Sequence, residues 1–305
     1  MIDFLREEGI DESILNRVLE FREQYSLSPE MDRRIPRPRF RYYGKEIWKQ
    51  ALTALLAGEN LLLVGPKATG KNVLAENLAA VFGRPEWDIS FYLNTDAASL
   101  IGTDTFKNGE VRFRSGPITQ CAKEGGFGVL DEINMAKNES LAVLHATLDF
   151  RRIIDVPGYD RILLDPATRF IATMNYGYAG TRELNEALAS RFMVINMPII
   201  SGENLKKLLL EQHPTLKAEP CEQLSGLFED IRKKCESSEI STKALDLRGL
   251  LASVTLVENG LRLGPALEMG LVNKSFDDFE RQLVADMIRL RVDGELSADE
   301  LFERT

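Results

Sequence analysis

A parallel β-sheet sandwiched between helices, followed by a small all-helical domain, is the fold the sequence predicts. Three observations carry this α/β assignment. Short apolar runs of strand length alternate with segments of helical period from Lys45 to Met197. The runs are apolar throughout, as in Leu61–Val64, whereas a strand wet on one face would alternate polar and apolar residues. Beyond Pro198 the strand-like runs stop and only the 3.6-residue period remains. The length of 305 residues agrees with two domains at ~150 residues each.

In chain order, Ile10, Ile14, Leu15, Val18, Leu19 and Phe21 recur at helical spacing within residues 1–30, with Asp11 placed to cap the helix. Residues 32–41 read DRRIPRPRFR, five arginines with two prolines. Proline's fixed φ and missing N–H make this an extended linker. A nucleic-acid tail is the alternative, disfavoured because the stretch is short and eight acids against three bases precede it. Helices then read at 45–57, 72–82, 140–150 and 184–192, and strands at 60–64, 87–93, 127–130, 169–174 and 194–197. Two inserts, 102–114 and 152–164, have hairpin character around the turn-like Lys107-Asn108-Gly109 and Pro157-Gly158. Further helices read at 203–213, 219–236, 242–259, 264–273 and 278–292.

Composition narrows the function. Lys and Arg total 38 against 47 Asp and Glu, a net charge of −9, which argues against a general binder of nucleic-acid backbones. Hydrophobic residues at 44% supply a core that needs no metal or disulfide staple. With two histidines, His145 and His213, a histidine-rich metal site or catalytic centre is excluded. Cys121, Cys221 and Cys235 are far apart and in no CxxC, the pattern of reduced thiols. No apolar run is long enough to insert in a membrane, and the charged start MIDFLREEG lacks a signal-peptide core. A cytoplasmic chain is expected.

One loop carries a specific chemistry. Gly65, Pro66, Lys67, Ala68, Thr69, Gly70 and Lys71 spell G-x-x-x-x-G-K between a buried strand and a helix that continues through Asn72 and Val73. The glycines let backbone N–H groups turn toward a phosphate, the helix N-terminus faces the anion, and the lysine reaches the β- and γ-phosphates. The next position normally carries Ser or Thr, whose hydroxyl meets Mg2+, and here it is Asn72. Its side-chain carbonyl is a hard oxygen that suits the ion or a metal-bound water. Nucleotide binding should survive this departure, while the hydrolysis rate is left open.

The run GFGVLDEIN ends an apolar strand with Asp131 and Glu132. An aspartate there holds Mg2+, and the glutamate orients and deprotonates a water; a solvated acidic pair at a strand end is the plainer alternative. FIATMN ends another strand with Asn175, whose amide suits a γ-phosphate or the attacking water but is also a common turn former. In LNEALASRF, Arg191 closes a short helix, where it serves either a phosphate across a subunit boundary or the helix dipole.

Together GPKATGKN, GVLDEIN, IATMN, GYAGTRELNEALASRF and the helical tail resemble the AAA+ ATPases of the MoxR branch, with its CbbQ, NorQ and GvpN relatives, over about residues 36–300. The resemblance implies a P-loop NTPase (AAA+) core at 36–200, a helical lid at 201–305, and a helical extension with basic linker at 1–35. It implies ATP and Mg2+ as cofactors. Lys71 becomes the P-loop lysine, Asp131 and Asn72 the metal residues, Glu132 the water residue, Asn175 the first sensor and Arg191 an arginine finger. It implies a ring of copies of this chain, usually a hexamer, and a protein client reached with a partner bearing a von Willebrand factor A domain. Nucleic acid and membrane are not implied. The inserts 100–116 and 152–164 resemble the family's hairpins in the second helix and before the sensor strand. Tyr42-Tyr43-Gly44 lies where the family meets adenine, with Tyr43 the expected contact, although linker packing fits equally.

The second sensor stays open between two residues. ISTKALDLRGLL resembles the family's S-x-R at the start of a lid helix, with Lys243 in the arginine's place and Arg248 further on. On one helix the two lie ~140° apart, so only one can face a phosphate. Lys243 fits the motif; Arg248 fits the residue type.

Three functions compete on this reading. The first is an ATP-hydrolysing chaperone that remodels a partner protein or metalloenzyme complex. The second is a nucleotide-gated binding module with little hydrolysis, motivated by Asn72. The third is a nucleic-acid-linked, McrB-like NTPase, against which the acidic composition counts.

Overall fold

The computed structural model describes residues 1–107, 109–176 and 183–303. The chain divides into two compact units, Met1–Pro198 and Ile199–Thr305. The strands of the first unit are β1 (Leu61–Val64), β2 (Glu86–Ser90), β3 (Gly102–Lys107), β4 (Glu110–Ser115), β5 (Phe127–Asp131), β6 (Ile153–Ile154), β7 (Ile162–Leu163), β8 (Arg169–Met174) and β9 (Met193–Asn196). Five of them make one parallel sheet in the order β2-β5-β8-β1-β9. The register sets Val64 beside Met174 and Asn196, and Leu130 beside Ala172, so the C-terminal ends of β1, β5 and β8 emerge along one edge.

The strands are apolar throughout because both faces are covered. Leu61, Leu63, Val129, Ile171 and Ile195 face one way, against Trp48, Leu52 and Leu55 of helix Lys45–Leu56 and Leu74, Leu78 and Phe82 of helix Lys71–Phe82. The alternate residues Leu62, Val64, Leu130, Phe170 and Ala172 face the other way, against Ile118, Cys121, Leu144 and Leu188. This two-residue alternation is the pleat of a strand, and each fully buried aliphatic side chain contributes ~1.5–3 kcal/mol of transfer energy.

Residues 1–35 hold three helices rather than one: Ile2–Glu7, Glu12–Gln24 and Pro29–Asp32. Phe4, Leu5, Leu15, Val18 and Phe21 bury into the first face of the sheet domain. Asp11 stands at the N-cap of Glu12–Gln24, but its carboxylate pairs with Lys49 at 3.0 Å instead of capping the helix. Arg22 donates to the carbonyls of Ala80 and Val81 at the end of Lys71–Phe82, where the helix dipole favours a cation. Within the basic stretch, Arg34 donates to Glu86 O at 2.9 Å and its guanidinium lies over the Trp87 ring.

Three expected elements change. The helix over 140–150 is a broken run, Asn138–Leu141, a 3-10 turn and His145–Leu148. The helix over 184–192 shortens to Glu186–Ala189, its start set by Asn185, which caps it by accepting the Ala187 N–H at 2.8 Å. The strand over 87–93 ends at Ser90, after which Tyr92 N–H donates to Thr95 Oγ1 in a turn. The two hairpins, β3–β4 and β6–β7, are antiparallel as expected, although Asn108 of the first turn lies outside the described residues. Tyr159 links them, donating to Asp104 Oδ1 at 2.6 Å and packing on the Phe113 ring.

The second unit contains helices Gly202–Gln212, Ala218–Glu236, Leu247–Glu258, Leu263–Gly270, Asp278–Arg291 and Ala298–Leu301 around a separate apolar core. The helix expected from residue 242 begins at Leu247. Glu280 accounts for the difference: it accepts the backbone N–H of Ser241 at 2.7 Å and the Ser241 hydroxyl at 2.9 Å, holding that segment in a turn. Among the described residues, no helix is long and apolar enough to cross a membrane.

Candidate functional site

The edge where β1, β5 and β8 end brings Lys71, Asp131, Glu132 and Asn175 together. β1 leaves the sheet at Gly65, whose N–H donates to Met174 O at 3.2 Å. A Cβ at Gly65 would stand 2.9 Å from Met197 O, so the loop passes only with glycine there. The chain then folds back with Ala68 at φ 61 and Gly70 at φ 79, both left-handed. For alanine this conformation costs ~1–2 kcal/mol, strain of the kind that collects at functional sites. Thr69 is buried and donates to Pro66 O at 3.0 Å, which staples the loop around Lys67 and Ala68. Gly70 precedes helix Lys71–Phe82, whose first N–H groups have no intrahelical carbonyl and face the loop. Asn72 and Val73 lie in the first turn, with Asn72 exposed.

Lys71 is 6% exposed. Its Nζ donates to Gly65 O at 3.0 Å and Pro66 O at 2.7 Å. Burial pushes its pKa down to about 8, against the upward pull of Asp131 and Glu132. A cation so placed gains from any anion brought into the loop.

The carboxylates are held by β8. Thr173 Oγ1 donates to Asp131 Oδ1 at 2.7 Å and accepts the Glu132 N–H at 3.0 Å. Adjacent residues on a strand point to opposite faces, but Glu132 takes φ 54 and ψ 46, and its side chain comes back to the edge. There Glu132 Oε1 accepts from Asn175 Nδ2 at 2.8 Å, and Asn134 Nδ2 donates to Asn175 O at 2.8 Å. Thr173 and Asn134 are not among the residues that the sequence singles out. Their signal is positional: Thr173 lies two residues from Asn175, and Asn134 two residues from Glu132.

Arg191 lies just beyond helix Glu186–Ala189. Its Nε donates to His145 O at 3.1 Å, its Nη1 donates to Ala187 O, and its Nη2 lies 3.6 Å from Asp149 Oδ2. Of the preceding motif, residues 177–182 lie outside the described residues.

The tyrosine set against the loop is Tyr42, not Tyr43. A Cβ at Gly70 would come 3.1 Å from the Tyr42 ring. Tyr42 donates its N–H to Asn77 Oδ1 at 3.3 Å, and its carbonyl accepts from Trp48 Nε1 at 2.8 Å. Burial raises its phenol to about 12. Tyr43 packs edge-on against Phe4, with ring centroids 5.4 Å apart. In the second unit, Lys243 is exposed in the turn before Leu247–Glu258 and Arg248 is exposed in that helix's first turn. Lys243 is not on the helix, so the ~140° separation expected from a shared helix does not apply.

A buried cation ringed by backbone groups suits a polyphosphate. The Asp131 carboxylate and the Asn72 amide are oxygen donors of the kind Mg2+ takes alongside phosphate oxygens. Glu132, fixed by Asn175, is a base at the same edge.

Residues 60–192 match the family model described as the AAA domain of the dynein-related subfamily. YojN of Bacillus subtilis (strain 168), itself uncharacterized, is 34% identical over 283 residues, covering 91% of this chain and 92% of its own length. An uncharacterized Staphylococcus aureus protein (strain bovine RF122 / ET3-1) is 35% identical over 238 residues, covering 76% of this chain and 90% of its own. A solved chain from Cytophaga hutchinsonii is 16% identical and covers 94% of this chain and 97% of itself, with a TM-score of 0.45.

Proposed function

Because the chain belongs to the dynein-related subfamily of AAA domain proteins, we propose that it binds ATP with Mg2+ and hydrolyses it to ADP and phosphate to remodel a partner protein. The observation that carries the reading is the convergence of Lys71, Asp131, Glu132 and Asn175 at one sheet edge, joined through Thr173. Lys71 neutralises the β- and γ-phosphates while the loop N–H groups cradle them. Asp131 and Asn72 would hold Mg2+, which when bound supplies further neutralisation of the phosphates. Glu132 takes the proton of the attacking water, and Asn175 keeps its carboxylate in one orientation. Arg191 completes the charge balance for a nucleotide held by a neighbouring copy.

The finer reading is a MoxR-type ring, hexameric, working in the cytoplasm on a protein client or metalloenzyme complex with a von Willebrand factor A domain partner. Support comes from the motif order and from the two hairpins, β3–β4 and β6–β7, tied together by Tyr159. Tyr42 lines the approach to the loop in this reading, and Lys243 or Arg248 serves as second sensor. The exposed amide of Asn72 favours a second reading, a nucleotide-gated module that turns over little.

Phosphate release with ATP or GTP, with and without DNA, across a range of protein concentrations separates the readings. ATP turnover that ignores DNA and rises in specific activity with concentration supports the first. Tight binding without turnover supports the second. GTP turnover that needs DNA overturns both in favour of a McrB-like NTPase.

A further inference from the structure

We propose that Asp149 is a positioning residue for Arg191, orienting its guanidinium toward a nucleotide held by a second copy of this chain; the proposal rests on the trans reading of Arg191 above. Asp149 follows helix His145–Leu148, and its side chain is 12% exposed. Arg151 grips it closely: its Nη2 donates to Oδ2 at 2.6 Å, its Nε lies 3.0 Å from Oδ1, and its backbone N–H donates to Oδ1 at 3.0 Å. These bonds, with the charge of Arg191 behind them, hold the Asp149 carboxyl below its ordinary range.

Arg191 approaches the same carboxylate, its Nη2 3.6 Å from the Oδ2 that Arg151 holds. Two of its nitrogens donate to carbonyls of its own subunit, His145 O and Ala187 O, and the third faces Asp149 Oδ2 as an ion pair. Three acceptors around one planar group fix both its place and its tilt. Two of them are backbone carbonyls set by short helices, and the third is the one side chain among them. The Asp149–Arg151 pair is already satisfied, so the 3.6 Å contact to Arg191 is not needed to neutralise the carboxylate. Two guanidiniums against one carboxylate also leave a net positive charge, which suits a phosphate from outside the subunit.

Subunit mixing tests the idea. Arg191→Ala subunits keep Lys71 and Lys71→Ala subunits keep Arg191, so a mixture of the two regains ATP turnover at mixed interfaces. Asp149→Asn added to the Lys71→Ala subunit, which supplies the arginine, should lower the regained turnover at least ~10-fold, since small misplacements of a reacting group cost on that order. The same change added to the Arg191→Ala subunit should leave the regained turnover and ATP affinity unaltered. Asp149→Glu on the arginine-supplying subunit, which keeps the charge, should retain several-fold more turnover than Asp149→Asn. Equal loss from both placements would make Asp149 a general structural residue and overturn the proposal. So would no loss from either, or equal loss with Glu and Asn. Mixtures of the two single variants that regain nothing would instead remove the trans role of Arg191, and the proposal with it.

Discussion

The side-chain amide of Asn175 donates to Glu132 Oε1 at 2.8 Å, tying the end of β8 to the residue that follows β5. The bond gives the glutamate one fixed orientation beside Lys71. Glu132→Gln keeps the shape and this bond partner but loses the basicity. ATP affinity should stay within a few-fold of wild type while turnover falls ~10²–10⁴-fold, the usual contribution of a general base. Equilibrium binding and single-turnover hydrolysis read the two separately. Wild-type turnover in this variant would place water activation elsewhere.

If Lys71 binds the phosphates as proposed, it makes nucleotide binding depend on pH. Burial holds its pKa at about 8, below the ordinary 10.5. A triphosphate alongside favours the ammonium, so binding takes up a proton wherever Lys71 of the free protein is neutral. The Kd should be level below pH ~8 and rise ~10-fold per pH unit above it. Folding shows the same linkage with a definite sign. Between about 8 and 10.5 the unfolded chain holds the extra proton, so the ligand-free protein gains stability as pH rises, by up to ~1.4 kcal/mol per unit. Lys71→Arg cannot lose its charge and should flatten the binding profile. An unchanged slope in that variant would assign the proton to another group.

Asn72 tests the proposed Mg2+ position. It is exposed in the first turn of helix Lys71–Phe82. A threonine there offers a hydroxyl closer to the backbone than the amide. Asn72→Thr should match or exceed the wild-type rate and reach half-maximal activity at lower Mg2+. Asn72→Ala, with no oxygen, should need more Mg2+ than either. Complete loss of activity in Asn72→Thr would show that the amide itself is required.

The features legible in the sequence were those with local causes. Leu61–Val64 is apolar throughout because both faces are buried, and the glycines beside it follow from the loop's own geometry. Parallel register then brings Asp131 and Asn175 to the end of β1 without further information. What stayed hidden depends on distant partners. Thr173 matters because β8 pairs with β5, a fact absent from its own neighbourhood. Tyr42 rather than Tyr43 meets the loop where Asn77, on another element, holds the Tyr42 N–H. Residues 242–246 carry helical periodicity, yet Glu280 captures Ser241 and delays the helix to Leu247. Likewise the period from Ile10 to Phe21, capped at Asp11, marks helix Glu12–Gln24 but not the short helix Ile2–Glu7 before it.

Gly70 and Tyr42 allow two costs to be separated. Gly70 sits at φ 79, and a Cβ there would stand 3.1 Å from the Tyr42 ring. The backbone strain of a side chain in that region costs ~1–2 kcal/mol. The contact adds to it only if the ring cannot yield. Tyr42 is buried, its N–H is held by Asn77 and its carbonyl by Trp48, so it has little room to retreat. Gly70→Ala should therefore destabilise the protein by more than the strain alone and weaken ATP binding, because Lys71 is the next residue. Tyr42→Ala removes the obstacle but leaves a cavity. In the double variant the alanine at 70 meets open space, and the loss of stability should be smaller than the sum of the two single losses by ~1 kcal/mol or more. Chemical denaturation of the four proteins measures that difference. Strict additivity would mean that the ring yields freely, that position 70 needs glycine for its φ alone, and that Tyr42 is an ordinary core tyrosine with no hold on the phosphate loop.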